Sequence, residues 1–302
     1  MPNTVMDIRH LVISGGGING FINYAILRDS HRDKYWSIDN IRSIYGTSSG
    51  AIIATIISLK YDWETLDDYL LKRPWHHIFN MNVETVMTAF SNRGLFHYNH
   101  MVQVFSPLFK GKDISVDITL QEFYEWNGID LHFFTTELNA GLSEDVDISH
   151  TTHPQWKVLE AVYCSSCLPI LFQPLLMDSK CFVDGGVFLN YPLLPCKVQQ
   201  GETDGSRIFG LKRVSLENLS LNIINEQKTL LDTTLLFLNK MMERIIQPQT
   251  FDFCPHEIEI PCSVISLTEI IHIFESEEAR RELMETGSQI WREYICRKKE
   301  NV

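Results

Sequence analysis

The first sixty residues switch twice between a short apolar run and a helix-spaced one. Leu11-Val12-Ile13-Ser14 stops abruptly at Gly15-Gly16-Gly17, the mark of a buried strand entering a tight glycine turn. From Asn19 to Arg28 the apolar residues Phe21, Ile22, Ala25 and Ile26 then fall at helical spacing. Ile41 to Tyr45 predicts a second strand and Ala51 to Leu59 an apolar helix, joined by Gly46-Thr47-Ser48-Ser49-Gly50. Two strand-turn-helix units in close succession predict an α/β fold with a mainly parallel central sheet flanked by helices.

Further along, Trp63, Leu66, Tyr69 and Leu70 predict a helix that Pro74 ends, and the stretch up to residue 110 reads as helical or lid-like. Leu131 to Thr135, Cys181 to Val183 and Arg207 to Leu211 are strand candidates, with a helix-like stretch from Trp156 to Val162. Amphipathic helices are expected from Ile223 to Ile246 and from Glu277 to Lys298, the second with Ser276 as N-cap. With no internal repeat, low-complexity stretch or evident linker, residues 1–302 are expected to form one domain whose part after 213 is mainly helical.

Charge narrows the partners. The net charge of −12 argues against general affinity for nucleic acid or for strongly anionic membranes, so any lipid contact has to be mainly apolar. Trp75, Ile78, Phe79, Met81 and Phe90 are candidates for an insertable lid, or equally for core. Met1 to His10 shows no basic segment followed by an apolar run, and a soluble, cytoplasmic protein with at most peripheral membrane contact is expected. Seven cysteines without a secretory signal predict reduced thiols. The C-x-x-C pair Cys164/Cys167 lacks a second pair, and the H-x-x-H spacings His97/His100 and His150/His153 lack a helix-borne glutamate. Buried thiols and surface histidines are therefore expected, and no metal.

Three glycine-rich motifs could carry chemistry. Gly46-Thr47-Ser48-Ser49-Gly50 is G-x-S-x-G between a strand and a helix, the setting of a nucleophile elbow, where Ser48 projects at the positive end of the following helix. Gly15-Gly16-Gly17-Ile18-Asn19-Gly20 presents amides at a helix start, suited to an oxyanion hole. The same residues satisfy G-x-G-x-x-G, and Asp39, 19 residues beyond Gly20, would suit a dinucleotide ribose. Asp184-Gly185-Gly186 offers a carboxylate on a glycine turn, though Asp-Gly between apolar flanks also signals a plain hairpin.

The order G-G-G-x-x-G, G-x-S-x-G, D-G-G resembles that of the patatin-like phospholipases, and the likeness extends beyond the motifs. Gly94-Leu95-Phe96, the segment Thr119 to Gly141, the Pro-Phe-Pro stretch Ser165 to Pro174, and Asn190-Tyr191-Pro192 are similar to family elements, covering residues 8–213. The resemblance implies a three-layer α/β/α fold with residues 8–213 as catalytic core. It also implies Ser48 as nucleophile, Asp184 as base in place of a Ser-His-Asp triad, and amides of Gly15, Gly16 and Gly17 as oxyanion hole. Gly20, Gly46, Gly50, Gly185 and Gly186 complete the motifs, and no cofactor is implied. One departure stands out: Asn19 replaces the basic residue usual in the glycine loop, which puts a preference for phosphate-bearing lipids in question. A hydrolase of phospholipid or acylglycerol esters is expected. The competing readings are a binding module using the Gly15–Gly20 loop for a head group or nucleotide, and a dinucleotide-dependent oxidoreductase. His256 and His272, the two histidines after Asp184, are read as structural.

Overall fold

All four residues of β1 (His10–Ile13) are buried, so both of its faces are covered, as in the interior of a parallel sheet. The computed structural model describes residues 6–141, 144–215, 229–245, 253–262 and 266–300. After β1 the chain forms α1 (Gly20–Arg32), β2 (Ser43–Thr47) and α2 (Ser49–Ser58), the two units read from the sequence. The stretch expected to be helical or lid-like holds α3 (Trp63–Lys72), α4 (Trp75–Ile78), α5 (Val83–Asn92), the short β3 (Gly94–Phe96) and α6 (Tyr98–Lys110). Then follow α7 (Leu120–Asn127), β4 (Asp130–Glu137), β5 (Glu144–Ile148), α8 (Val158–Ser166), β6 (Ile170–Phe172), β7 (Leu175–Met177) and β8 (Lys180–Asp184). The remainder comprises α9 (Leu193–Gln200), β9 (Ile208–Ser215), α10 (Leu230–Ile245), β10 (His256–Cys262), α11 (Leu267–Glu275) and α12 (Glu277–Glu300).

The main sheet runs β10-β9-β1-β2-β4-β8-β7, with β5 also paired to β4. Its β10, β9, β1, β2 and β4 are mutually parallel, whereas β5, β8 and β7 join antiparallel. The mainly parallel α/β sheet expected from the sequence is therefore present. A second, two-stranded parallel sheet pairs β3 with β6.

The C-terminal part is helical in α10, α11 and α12 and also supplies β10, the edge strand of the main sheet. Of the helix expected from Ile223 to Ile246, residues 223–228 and 246 lie outside the described residues. Ser276 caps α12 as expected, its hydroxyl accepting the Ala279 amide at 3.1 Å. α12 lies against α1 so closely that a Cβ on Gly287 would stand 2.6 Å from the Ile22 carbonyl oxygen. The buried Trp291 donates its indole N–H to Asp33 at 2.7 Å in the same contact.

On β4, His132 is buried between two carboxylates, Asp130 at 3.1 Å and Asp147 at 2.9 Å, and Tyr45 of β2 stacks on its ring at 4.2 Å. His150 bonds Asp130 at 2.7 Å, so this histidine of the second H-x-x-H pair belongs to an ion-pair network rather than to the open surface.

Candidate active site

Parallel β1 and β2 end at the same edge of the sheet, and both glycine motifs leave from that edge. At the end of β2, Ser48 adopts φ 56° and ψ −125°, a conformation that side chains other than glycine rarely hold. The surrounding backbone forces it: a Cβ on Gly50 would lie 2.2 Å from the Ile13 carbonyl oxygen, and one on Gly46 would lie 2.7 Å from the Gly50 backbone. Only glycines at these two positions let β2 turn into α2 within a single residue. Ser48 thereby stands at the N-terminus of α2, where the unpaired first amides give a positive potential.

Asp184 ends β8, one strand beyond β4. The two motifs lie 136 residues apart, yet the Ser48 hydroxyl donates to Asp184 Oδ2 at 2.6 Å. The other carboxylate oxygen, Oδ1, accepts the Gly186 amide at 2.7 Å. Gly185 passes so close to β4 that a Cβ there would meet the Phe134 carbonyl oxygen at 2.1 Å, which fixes where the carboxylate points. Asp184 is only 2% exposed. Burial raises its pKa to about 6, and the hydrogen bonds from Ser48 and Gly186, with the charge of Arg213, offset that only in part.

The glycine loop is tied in from several sides. The Gly15 amide donates to the Asn190 carbonyl at 3.2 Å and the Gly16 amide to Ser49 Oγ at 3.0 Å, so two of the three amides named from the sequence already have acceptors. Gly17, at φ 56°, leads the short 3-10 turn, whose first amides have no intrahelical acceptor. Gly20 starts α1, packed against Ser49. Asn19 donates its side-chain amide to the Gly16 carbonyl at 3.0 Å and is nearly buried, so it braces the turn instead of reaching into the cavity as a long cation would.

Ser48, Asp184 and the loop glycines line one cavity of about 260 Å³ whose other walls are almost wholly apolar, among them Ile53, Leu70, Met101 and Leu235. Arg213 of β9 also lines it and is the one cation that does so among the described residues. Trp75 and Phe79, two of the proposed lid residues, line this cavity too. Trp75 is buried with its indole N–H on the Leu70 carbonyl at 2.9 Å, and Phe79 stacks on Phe274 at 4.4 Å, so both are wall. Of the lid candidates only Phe90 stands out in solvent.

Neither histidine after Asp184 lines the cavity: His256 bonds the Tyr35 hydroxyl at 2.6 Å, and His272 is exposed on α11. Asp39 sits exposed in a turn before β2, at the opposite edge from the glycine loop, where it is unable to meet a ribose held by that loop. All seven cysteines are free, Cys164 and Cys167 being buried, and no metal-competent cluster occurs among the described residues.

Sequence reasoning missed three contributors. Ser165 Oγ accepts the Ser48 amide at 3.0 Å, Asn190 closes the glycine loop, and Arg213 supplies the cavity's cation. Asn190 and Ser165 had a signal in the family-like stretches Asn190-Tyr191-Pro192 and Ser165 to Pro174, whereas Arg213 had none beyond residue type.

A family model described as patatin-like phospholipase matches residues 11–197. The chain is 26% identical over 185 residues to "Probable lipid hydrolase 463L" of Invertebrate iridescent virus 6, covering 61% of each chain. It is 25% identical over 187 residues to "Uncharacterized protein R571" of Acanthamoeba polyphaga mimivirus, covering 62% of this chain and 61% of that one. The chain thus matches about three-fifths of the length of these curated relatives. Among solved structures it is similar to VipD from Legionella pneumophila, with a TM-score of 0.47, 13% identity, and coverage of 94% of this chain and 67% of that one. ExoU of Pseudomonas aeruginosa, in complex with SpcU, gives a TM-score of 0.40, 15% identity, and coverage of 95% and 53%. A match that takes in most of strand β1, all three glycine motifs and more than half of the chain settles the family: this chain belongs to the patatin-like phospholipases.

Proposed function

We propose that the protein is a lipid acyl hydrolase that cleaves carboxylic esters of phospholipids or related acylglycerols through an acyl-enzyme on Ser48, with Asp184 as the base. The observation that carries this reading is the 2.6 Å hydrogen bond from Ser48 to Asp184 at the wall of an apolar cavity. Family membership and the lipid hydrolase relative support the substrate class.

In this scheme Asp184 takes the hydroxyl proton as Ser48 Oγ attacks the ester carbonyl. The tetrahedral oxyanion lies toward the glycine loop and accepts from its amides, Gly17 among them, since the Gly15 and Gly16 amides already have acceptors. Collapse expels the alcohol, which leaves with the proton from Asp184. Water then attacks the acyl-enzyme, gives its proton to Asp184, and the acid departs as Ser48 regains its hydrogen. The apolar walls hold the acyl chain and exclude bulk water, which strengthens each of these hydrogen bonds. A pKa near 6 leaves Asp184 ionised at neutral pH and a better proton acceptor than an ordinary carboxylate.

The test is hydrolysis of a panel of phospholipids, lysophospholipids and triacylglycerols by wild type, Ser48→Ala and Asp184→Asn, together with fluorophosphonate labelling. Wild type should label at Ser48 and turn over at least one ester class, and each variant should lose on the order of a thousandfold or more. An unlabelled Ser48 with no ester turned over would leave the fold as a binding module instead.

A further inference from the structure

α5 presents its apolar side to solvent. Over its ten residues Glu84 is the only charged side chain, and no residue is buried. Val83, Val86, Met87 and Phe90 recur at helical spacing and are 76%, 54%, 76% and 97% exposed. Only the small residues Thr85 and Ala89 are half-covered by protein. Inward-facing small residues and outward-facing large apolar ones reverse the usual pattern of a surface helix. The helix nevertheless has defined ends: the Asn82 side chain accepts the Thr85 amide at 2.8 Å, and Arg93 closes it in the left-handed conformation.

Its position gives the stripe a meaning. Ala89 packs onto the apolar cluster of Phe96, Leu171 and Leu235, and those three residues also line the catalytic cavity. Leu231 of α10 joins the same cluster, and α10 carries a second exposed apolar set, Leu230, Phe237 and Met241, while its Leu235, Leu238 and Met242 face the cavity. α10, which lines the cavity, and α5, packed on the cluster behind its wall, thus both carry exposed hydrocarbon.

We propose that the apolar stripe of α5 docks on a zwitterionic lipid surface. The proposal rests on the lipid hydrolase reading above and adds where the lipid surface is met. Val, Met and Phe offer no hydrogen-bonding groups of the kind that dot a specific protein interface, but they suit the boundary between head groups and acyl chains. The stripe adds no cation to a chain of net charge −12, so the attraction is apolar and not electrostatic. Only the apolar cluster of Phe96, Leu171 and Leu235 separates the stripe's helix from the cavity, so a lipid surface met there lies close to the site.

The experiment is flotation with phosphatidylcholine vesicles of wild type, Ser48→Ala and the double variant Met87→Ser/Phe90→Ser, two positions so exposed that folding does not depend on them. Wild type and Ser48→Ala should float alike, in about 0.1 M and about 0.5 M salt, while the double variant should lose about tenfold or more of its bound fraction. Its turnover of a soluble short-chain ester should stay within about twofold of wild type. Equal flotation of the double variant, or no flotation of wild type, overturns the proposal. So does sedimentation showing a wild-type dimer that the substitutions dissociate, since the occupant of the stripe is then a second copy. Ester turnover that survives Ser48→Ala strikes the catalytic reading alone and leaves the flotation result standing.

Discussion

The hydroxyl of Ser165 accepts the backbone amide of Ser48 at 3.0 Å and donates to the Phe134 carbonyl at 2.7 Å. One buried side chain, 117 residues away in sequence from the serine it supports, thus pins the strained elbow to β4. Ser165→Ala leaves the Ser48 amide without the acceptor it has in Ser165 and removes one donor from the Phe134 carbonyl, at a cost of about 1–3 kcal/mol. The elbow also gains freedom to relax from its positive φ. Esterase kcat should fall about tenfold or more with KM little changed, and the midpoint of urea unfolding should drop. A folded variant with wild-type kcat would mean that the glycine contacts alone hold Ser48.

As the proposed base, Asp184 would have to be ionised to accept the Ser48 proton, and burial holds its pKa at about 6. The profile of kcat/KM against pH should therefore rise through about 6 and level off above it. Arg213 lowers that pKa by its charge, so Arg213→Gln should move the midpoint upward, and Arg213→Lys should move it less. An unmoved midpoint would show that Asp184 does not feel this guanidinium.

The parallel strands and both glycine turns were legible because their causes are local. A continuous apolar run means a strand covered on both faces, and a G-x-S-x-G joint admits only one sharp turn. Ser48 and Asp184 stood out because glycines flank them. The supporting residues did not, because their roles exist only after folding: Ser165 and Arg213 reach the site from α8 and β9. The amides of Gly15 and Gly16 illustrate the same limit, since their acceptors on Asn190 and Ser49 come from distant turns. Apolarity alone was equally blind to depth, for Trp75 went to the cavity wall and Phe90 to the solvent.

The network around His132 makes stability depend on pH in the alkaline range. Burial pulls this imidazole's pKa down, but hydrogen bonds and charge from Asp130 and Asp147 outweigh it and raise the value to about 9. A raised folded-state pKa gives stability that is complete below the ordinary value of 6.5 and is lost as pH climbs through about 9. The thermal midpoint should therefore decline between about pH 7 and about pH 9.5 in wild type, and His132→Gln should be less stable at about pH 7 with a flatter profile over that interval. Parallel declines in both proteins would place the responsible group elsewhere.

Asp184 acts in a different pH window, and the sign of its effect separates its cost in stability from its proposed use as a base. With a folded pKa of about 6 against an ordinary 3.8, the fold tolerates the neutral acid better than the carboxylate. The stability this group confers is complete below pH 3.8 and disappears as pH rises through about 6, a loss of about 3 kcal/mol from the size of the shift. The side-chain amide introduced by Asp184→Asn carries no charge, can still accept from the Gly186 amide, and can donate to Ser48 Oγ. Asp184→Asn should therefore unfold at a higher temperature than wild type at about pH 8 and at a similar one at about pH 4, while esterase activity is abolished. Thermal denaturation at the two pH values decides the matter: a variant less stable than wild type under the alkaline condition would show that its surroundings stabilise the ionised Asp184, and the argument that burial sets its basicity would fall.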